Sequence, residues 1–203
     1  MQQTLTIIKR NDPMNTLWIS LRMLATLTLL TGLMYPLAVT GVAQIVMPVQ
    51  AQGSLIRRDG RPVGSELLAQ PTQNGRYFWP RPSAADYATV ASGASNKGPT
   101  SKDLQQKIVE RQQFLRKAHG LSAAAPVPDE LVLASGSGLD PHISPEAAYF
   151  QAARVARARQ VDETQLRTLI AAQIVPRQWG LFGEPRVNVL RLNLALEDLD
   201  VQP

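Results

Sequence analysis

The chain has 203 residues and a net charge of +5, with basic residues that are scattered and accompanied by only three Trp, four Tyr and four Phe, which excludes an extended nucleic-acid surface. It has no cysteine, so disulfides, thiolate metal sites and thiol redox chemistry are excluded, and two histidines, His119 and His142, are too few for a His-rich metal centre.

From the N-terminus, the first element is an apolar tract. No charged side chain occurs between Arg22 and Arg57. Its most apolar part, 17–47, is about 30 residues, which as a helix spans about 45 Å against a hydrocarbon core of about 30 Å. One tilted or protruding crossing fits, and two do not. A cleaved leader ending near Val49-Gln50-Ala51 is the competing reading, but its apolar core is usually only about 7–15 residues, so anchoring is preferred. Lys9, Arg10 and Arg22 precede the tract, offset in part by Asp12, and the first basic residue after it is Arg57, with Arg58 and Arg61 close behind. That bias predicts a cytoplasmic N-terminus and an extracytoplasmic soluble domain. Within the span, Pro36 is expected to interrupt the helix. Gly32 and Gly41, with Thr28, Thr31 and Thr40, offer small or hydroxylated surface to another helix or simply face lipid. The organisation expected is a cytoplasmic extension, 1–16, a transmembrane helix, 17–47, and one α+β soluble domain, 48–203.

Gly53 to Gly98 is rich in Gly, Pro, Ser and Asn and reads as short strands and turns. Within it, Tyr77-Phe78-Trp79-Pro80-Arg81-Pro82-Ser83 is held extended by its prolines. It reads as an edge segment packed on the core, with a docking surface as the alternative. The turn-rich loop Gly93 to Pro99 leads to Thr100 or Ser101 as the cap of a helix running to His119, with Leu104, Ile108, Arg111 and Leu115 at helical spacing and Gly120 as its stop. Leu131-Val132-Leu133 suits a strand or a helical turn. Ser144-Pro145-Glu146 opens a helix to Arg159, and Asp162 with Gln165 opens another in which Leu166, Leu169 and Ile170 share a face. Arg186 to Leu194 alternates like a strand, while Val189, Leu192 and Leu196 suit a helix. Arg154, Arg157 and Arg159 form a basic cluster, read as a solvated face or as a surface for an acidic partner or anionic lipid.

The segment Ala134 to Pro145 carries the candidate chemistry. A Gly/Ser loop running into a helix start can offer backbone N–H groups to an anion, but this one lacks the Lys of G-x-x-x-x-G-K-[ST], and a structural turn is preferred. A membrane-anchored hydrolase using Ser137, Asp140 and His142 is the alternative function. Against it, Ser135 and Ser137 lack a G-x-S-x-G elbow, and Asp140 with His142 makes too few ligands for a catalytic metal.

Tyr35-Pro36-Leu37 and Thr40-Gly41, Gly53-Ser54-Leu55-Ile56, Tyr77 to Ser83, Ser95-Asn96-Lys97-Gly98-Pro99, Ala134 to Pro145, and Gly183 to Leu190 follow one another behind a single anchor. In that order they resemble the C subunit of the bacterial Kdp potassium-transporting ATPase. The residues before Met14 read as an extension, leaving Met1 and Met14 both as candidate starts. The resemblance implies an accessory subunit in the bacterial inner membrane, with an ATP-hydrolysing P-type subunit, a channel-like potassium subunit and membrane lipid as partners. The chain carries neither the D-K-T-G phosphorylation motif nor a TVGYG-like filter, so no catalytic residue and no metal site are expected. Similar proteins are described as catalytic chaperones that raise the pump's affinity for ATP. In that description Ser135, Gly136, Ser137 and Gly138 are the candidate nucleotide contact, and ATP is a cofactor only through the complex. An extracytoplasmic domain conflicts with such a contact, so assembly and stabilisation are the preferred role.

Overall fold

A computed structural model describes residues 13–200, and the chain divides into two compact units, 1–53 and 54–203. The expected cytoplasmic extension lies outside the described residues up to Asp12, and residues 13–16 are already helical.

The first unit is built on a helix from Pro13 to Val46, long and apolar enough to cross a membrane. It comprises α1 (Pro13–Leu27), a π-helical stretch (Thr28–Met34) and α2 (Tyr35–Val46), and the short α3 (Pro48–Ala51) follows. The expected interruption at Pro36 takes the form of a change in helix type. Proline lacks an N–H and its ring crowds the carbonyl four residues back, here that of Gly32. The backbone widens just before it, and the Tyr35 N–H donates to the Leu30 carbonyl five residues behind. Thr31 Oγ1 donates to the Leu27 carbonyl at 2.7 Å. No side chain of α1, the π stretch or α2 is buried, which gives this helix an apolar exterior suited to hydrocarbon.

The second unit opens with the hairpin of β1 (Leu55–Arg58) and β2 (Arg61–Ser65), turned at Asp59-Gly60, both with positive φ. From Glu66 to Thr100 no further regular element forms, so the reading of repeated short strands holds only for this hairpin. α4 (Lys102–His119) starts where Ser101 Oγ accepts the Leu104 N–H and ends at Gly120 with φ +67°, as expected. Asp129–Leu131 is one 3-10 turn. After β3 (His142–Ile143), α5 (Pro145–Arg159) is capped by Ser144 Oγ, and α6 (Glu163–Ala172) by Asp162, which accepts from the Thr164 N–H.

β4 (Ile174–Val175), β5 (Arg186–Asn188) and α7 (Val189–Asp200) complete the unit. β5 runs antiparallel between β3 and β4, with Val187 opposite both Ile143 and Ile174. The segment that alternates like a strand yet spaces like a helix is therefore both in succession. Asn188 makes the switch, its Oδ1 accepting the Arg191 N–H at 3.1 Å while its Nδ2 donates to the Glu66 carbonyl at 2.8 Å. The core gathers Ala148, Ala152 and Val155 of α5 with Leu166, Ile170, Leu192 and Leu196, and Phe78 is fully buried among this cluster. Alanines on α5 let neighbouring elements approach its backbone closely.

Candidate functional site

The Gly/Ser loop uses many of its own donors. The Ser135 N–H donates to the Pro82 carbonyl at 3.0 Å, the Gly138 N–H to the Ser135 carbonyl at 3.3 Å and the Leu139 N–H to Ser137 Oγ at 3.1 Å. Ser135 is buried, and Gly136 has open space around it. Gly138 is at φ +70°, where a Cβ would lie 3.0 Å from the Gly93 carbonyl oxygen and 3.1 Å from Ser83 Oγ. Gly138→Ala should therefore destabilise the fold by about 1–3 kcal/mol, through positive φ and the close approach to Gly93. Gly136→Ala should leave the urea midpoint nearly unchanged, and equal midpoints for the two variants would refute this account of the loop.

Asp140 braces the loop's exit. Its Oδ2 is 3.0 Å from Arg81 Nη1, its Oδ1 accepts the His142 N–H at 3.0 Å, and His142 Nδ1 lies 3.6 Å away. Burial alone would raise this carboxyl, but the bonds from His142 and the Arg81 guanidinium hold it below its ordinary value. The structure thus brings Asp140 and His142 together. Ser137 Oγ is engaged with Leu139, and no hydrogen bond among the described residues joins it to His142. Beside the loop, the Ser144 N–H and hydroxyl both donate to Glu130, fixing the start of α5.

A second polar cluster lies on α5, and it corrects the reading of the arginines as a solvated or lipid-facing surface. Arg154 and Arg159 are buried, and only Arg157 is exposed. Arg154 Nη1 donates to the Gly75 carbonyl at 2.6 Å, and Nη2 to the Tyr77 carbonyl at 3.0 Å and Gln151 Oε1 at 2.8 Å. The guanidinium carbon lies 3.9 Å from the Trp79 ring centroid. Arg159 Nε donates to the Arg76 carbonyl at 2.7 Å. These arginines bind the turn at 74–77 that runs into the Phe78-Trp79 strap, and they leave the surface because that turn presents its carbonyls to them.

Two amides finish the attachment. Gln151 accepts the Trp79 N–H at 2.8 Å and donates to the Trp79 carbonyl at 3.1 Å, and Asn193 does the same for Phe78 at 2.8 and 2.9 Å. They replace the strand partners that the strap lacks. Sequence reasoning passed over both. The available signal was Gln151 and Arg154 three residues apart, on the helix face that also carries Ala147, Ala148 and Val155.

His119 closes the cluster. Its Nδ1 lies 2.9 Å from the Leu115 carbonyl and Arg154 Nε donates to its Nε2 at 3.2 Å, which selects the neutral Nδ1–H tautomer. Burial first, then the charges of Arg154 and Arg157, push its pKa down to about 4, against a partial upward pull from the Leu115 carbonyl. In the unfolded chain His119 binds a proton below about pH 6.5, whereas the fold resists it until about pH 4. This contribution to stability is full above that window and is lost as pH falls through it. His119→Gln should flatten the fall in melting temperature between these pH values, and an unchanged pH slope would refute the assignment.

The family model described as K+-transporting ATPase, c chain, matches residues 17–198. A relative from Methylobacterium nodulans, the potassium-transporting ATPase KdpC subunit, is 52% identical over 187 residues, covering 85% of this chain and 92% of the relative. Proteins of the same description from Methylococcus capsulatus and Sorangium cellulosum are 52% and 54% identical, covering 89% and 88% of this chain and 96% and 95% of their own lengths.

Proposed function

Because the chain belongs to the KdpC family, the C chains of potassium-transporting ATPases, we propose that it is the non-catalytic accessory subunit of an ATP-driven potassium importer. It is held by a single membrane helix and is needed for the complex to assemble and persist. The observation that carries this reading is a family match spanning anchor and extramembrane domain together. Its partners are the ATP-hydrolysing and channel-like subunits. Cells that express those subunits without this chain should lose uptake at limiting external potassium, and the remaining subunits should separate on detergent extraction. Intact assembly and uptake would overturn the reading.

The domain is extracytoplasmic in this proposal, on the bias of Arg22 and the earlier basic residues over the far flank. Ser122 is exposed and the chain has no native cysteine, so Ser122→Cys should react with a membrane-impermeant thiol reagent before lysis once any outer barrier is permeabilised. Labelling only after lysis would place the domain inside and restore direct contact with cytoplasmic ATP. Any rise in the pump's ATP affinity is assigned here to contacts between subunits. The inward bonding of the Ser135, Gly138 and Leu139 donors supports this over nucleotide held by Ser135, Gly136, Ser137 and Gly138. Saturable, stoichiometric ATP binding by the isolated full chain would refute it.

A further inference from the structure

Asn74-Gly75 is the one place in the chain where asparagine precedes glycine. It opens the turn at 74–77 whose carbonyls Arg154 and Arg159 hold. Three groups stand there as an intramolecular acyl transfer requires. The Arg76 N–H donates to Asn74 Oδ1 at 3.0 Å, which polarises the side-chain carbonyl and places a donor on the oxygen where negative charge collects during attack. The Gly75 N–H, the nucleophile one residue on, makes no hydrogen bond among the described residues, and neither does Asn74 Nδ2, the leaving group. Glycine has no Cβ, and one built at Gly75 would meet nothing within 4 Å, so the approach is open. Asn74 is exposed to the water that completes the reaction. The other asparagines of this unit differ. Asn188 and Asn193 are bonded at both Oδ1 and Nδ2, and exposed Asn96 is followed by Lys97, whose side chain crowds the corresponding nitrogen.

We propose that Asn74 is a self-modifying site, at which the Gly75 nitrogen converts the amide to aspartate and isoaspartate and so loosens the turn before Trp79. The two reacting groups are adjacent in one turn, so no encounter is needed. The Gly75 nitrogen attacks Asn74 Cγ to form the ring C–N bond and gives its proton to solvent. The Cγ–Nδ2 bond breaks, and Nδ2 leaves as ammonia with a proton taken from water. Water then opens the cyclic imide at either carbonyl. Opening at the side-chain carbonyl keeps the backbone path and adds only a charge. Opening at the main-chain carbonyl routes the backbone through Cβ and Cγ and lengthens it by one methylene. In the unmodified chain that main-chain carbonyl accepts from Trp79 Nε1 at 2.9 Å and from the Tyr77 N–H at 3.2 Å, and in the isoaspartate it is a free carboxylate. The longer turn cannot keep the Gly75 and Tyr77 carbonyls on Arg154 and the Arg76 carbonyl on Arg159 together, because both arginines are fixed on one helix.

The test ages the purified full chain in detergent at mildly alkaline pH and follows each asparagine by peptide mass mapping, with an isoaspartate-specific methyltransferase marking the rearranged product. Asn74 should convert from amide to acid about tenfold faster than Asn96, or more, which corresponds to about 1.4 kcal/mol in the barrier. Gly75→Ala should suppress the conversion while the melting temperature stays that of the parent, since φ at Gly75 is not left-handed and a Cβ has room there. The converted fraction, resolved by ion exchange and carrying isoaspartate in excess over aspartate, should melt below Asn74→Asp, which adds the charge without the methylene. Conversion at Asn74 no faster than at Asn96, or undiminished in Gly75→Ala, would overturn the site. A converted fraction that melts no lower than Asn74→Asp would overturn the loosening of the turn.

Discussion

Arg154→Ala is expected to destabilise the extramembrane unit by about 3 kcal/mol, lowering its melting temperature by about 6–12 °C for a domain of this size. The guanidinium reaches the carbonyls of Gly75 and Tyr77, the amide of Gln151, the imidazole of His119 and the face of Trp79. Its removal leaves the buried His119 Nε2 and the half-buried carbonyls of Gly75 and Tyr77 without this donor, and each buried acceptor so orphaned costs about 1–3 kcal/mol. Burial lowers the Arg154 pKa only to about 10, with Arg157 adding to the effect, so the group remains charged near neutral pH. Arg154→Lys should recover less than half of the loss, because an ammonium cannot span carbonyls and ring in one plane. Arg157→Ala is the control. That side chain is exposed and donates from Nη2 to the His119 carbonyl, so it should cost less than about 1 kcal/mol. Equal melting temperatures for Arg154→Ala and Arg157→Ala would refute the internal role of the cluster.

Gln151→Leu should have an effect of similar size, about 2–4 kcal/mol, although leucine fits the volume and the position is fully buried. The substitution strands both the N–H and the carbonyl of Trp79 and removes one acceptor of Arg154. Proteolysis should then cut first in the strap before Trp79, since the freed backbone gains water only by lifting from the core. Because Gln151 and Arg154 hold the same strap and each other, their effects should not add. The double variant should be less destabilised than the sum of the singles by about 1–2 kcal/mol. Strict additivity would mean that the two side chains act separately.

Much of the local structure was legible in the sequence. Gly120, Ser144 and Asp162 bound their helices as their side chains or backbone freedom dictate, and of the two caps open for α4, Thr100 and Ser101, it is Ser101 that bonds, since a cap depends on only a few neighbouring residues. The segment at 186–194 was ambiguous for a physical reason. Val187 and Val189 satisfy strand alternation while Val189, Leu192 and Leu196 satisfy a helical face, and the choice between them is made at Asn188 by a bond to distant Glu66. The Gly/Ser loop was recognised as a turn, but its anchoring at Pro82 and its proximity to Gly93 are long-range facts that no spacing carries.

The arginines at 154 and 159 mark the same boundary. On a helical wheel a charged residue belongs to water unless a partner is known, and their partners are carbonyls about 80 residues earlier in an aperiodic strap. The sequence by itself determined one membrane-length helix, one α+β domain behind it, the helix caps and the family. These follow from hydropathy, short-range hydrogen bonding and residue order, all readable along the chain. Only the tertiary structure decided that the aromatic strap is held by Gln151, Asn193 and Arg154, and that Trp179, Leu181 and Phe182 stand clear of the core. Burial is a property of surfaces that meet in space, and residues far apart in sequence give no local sign of meeting.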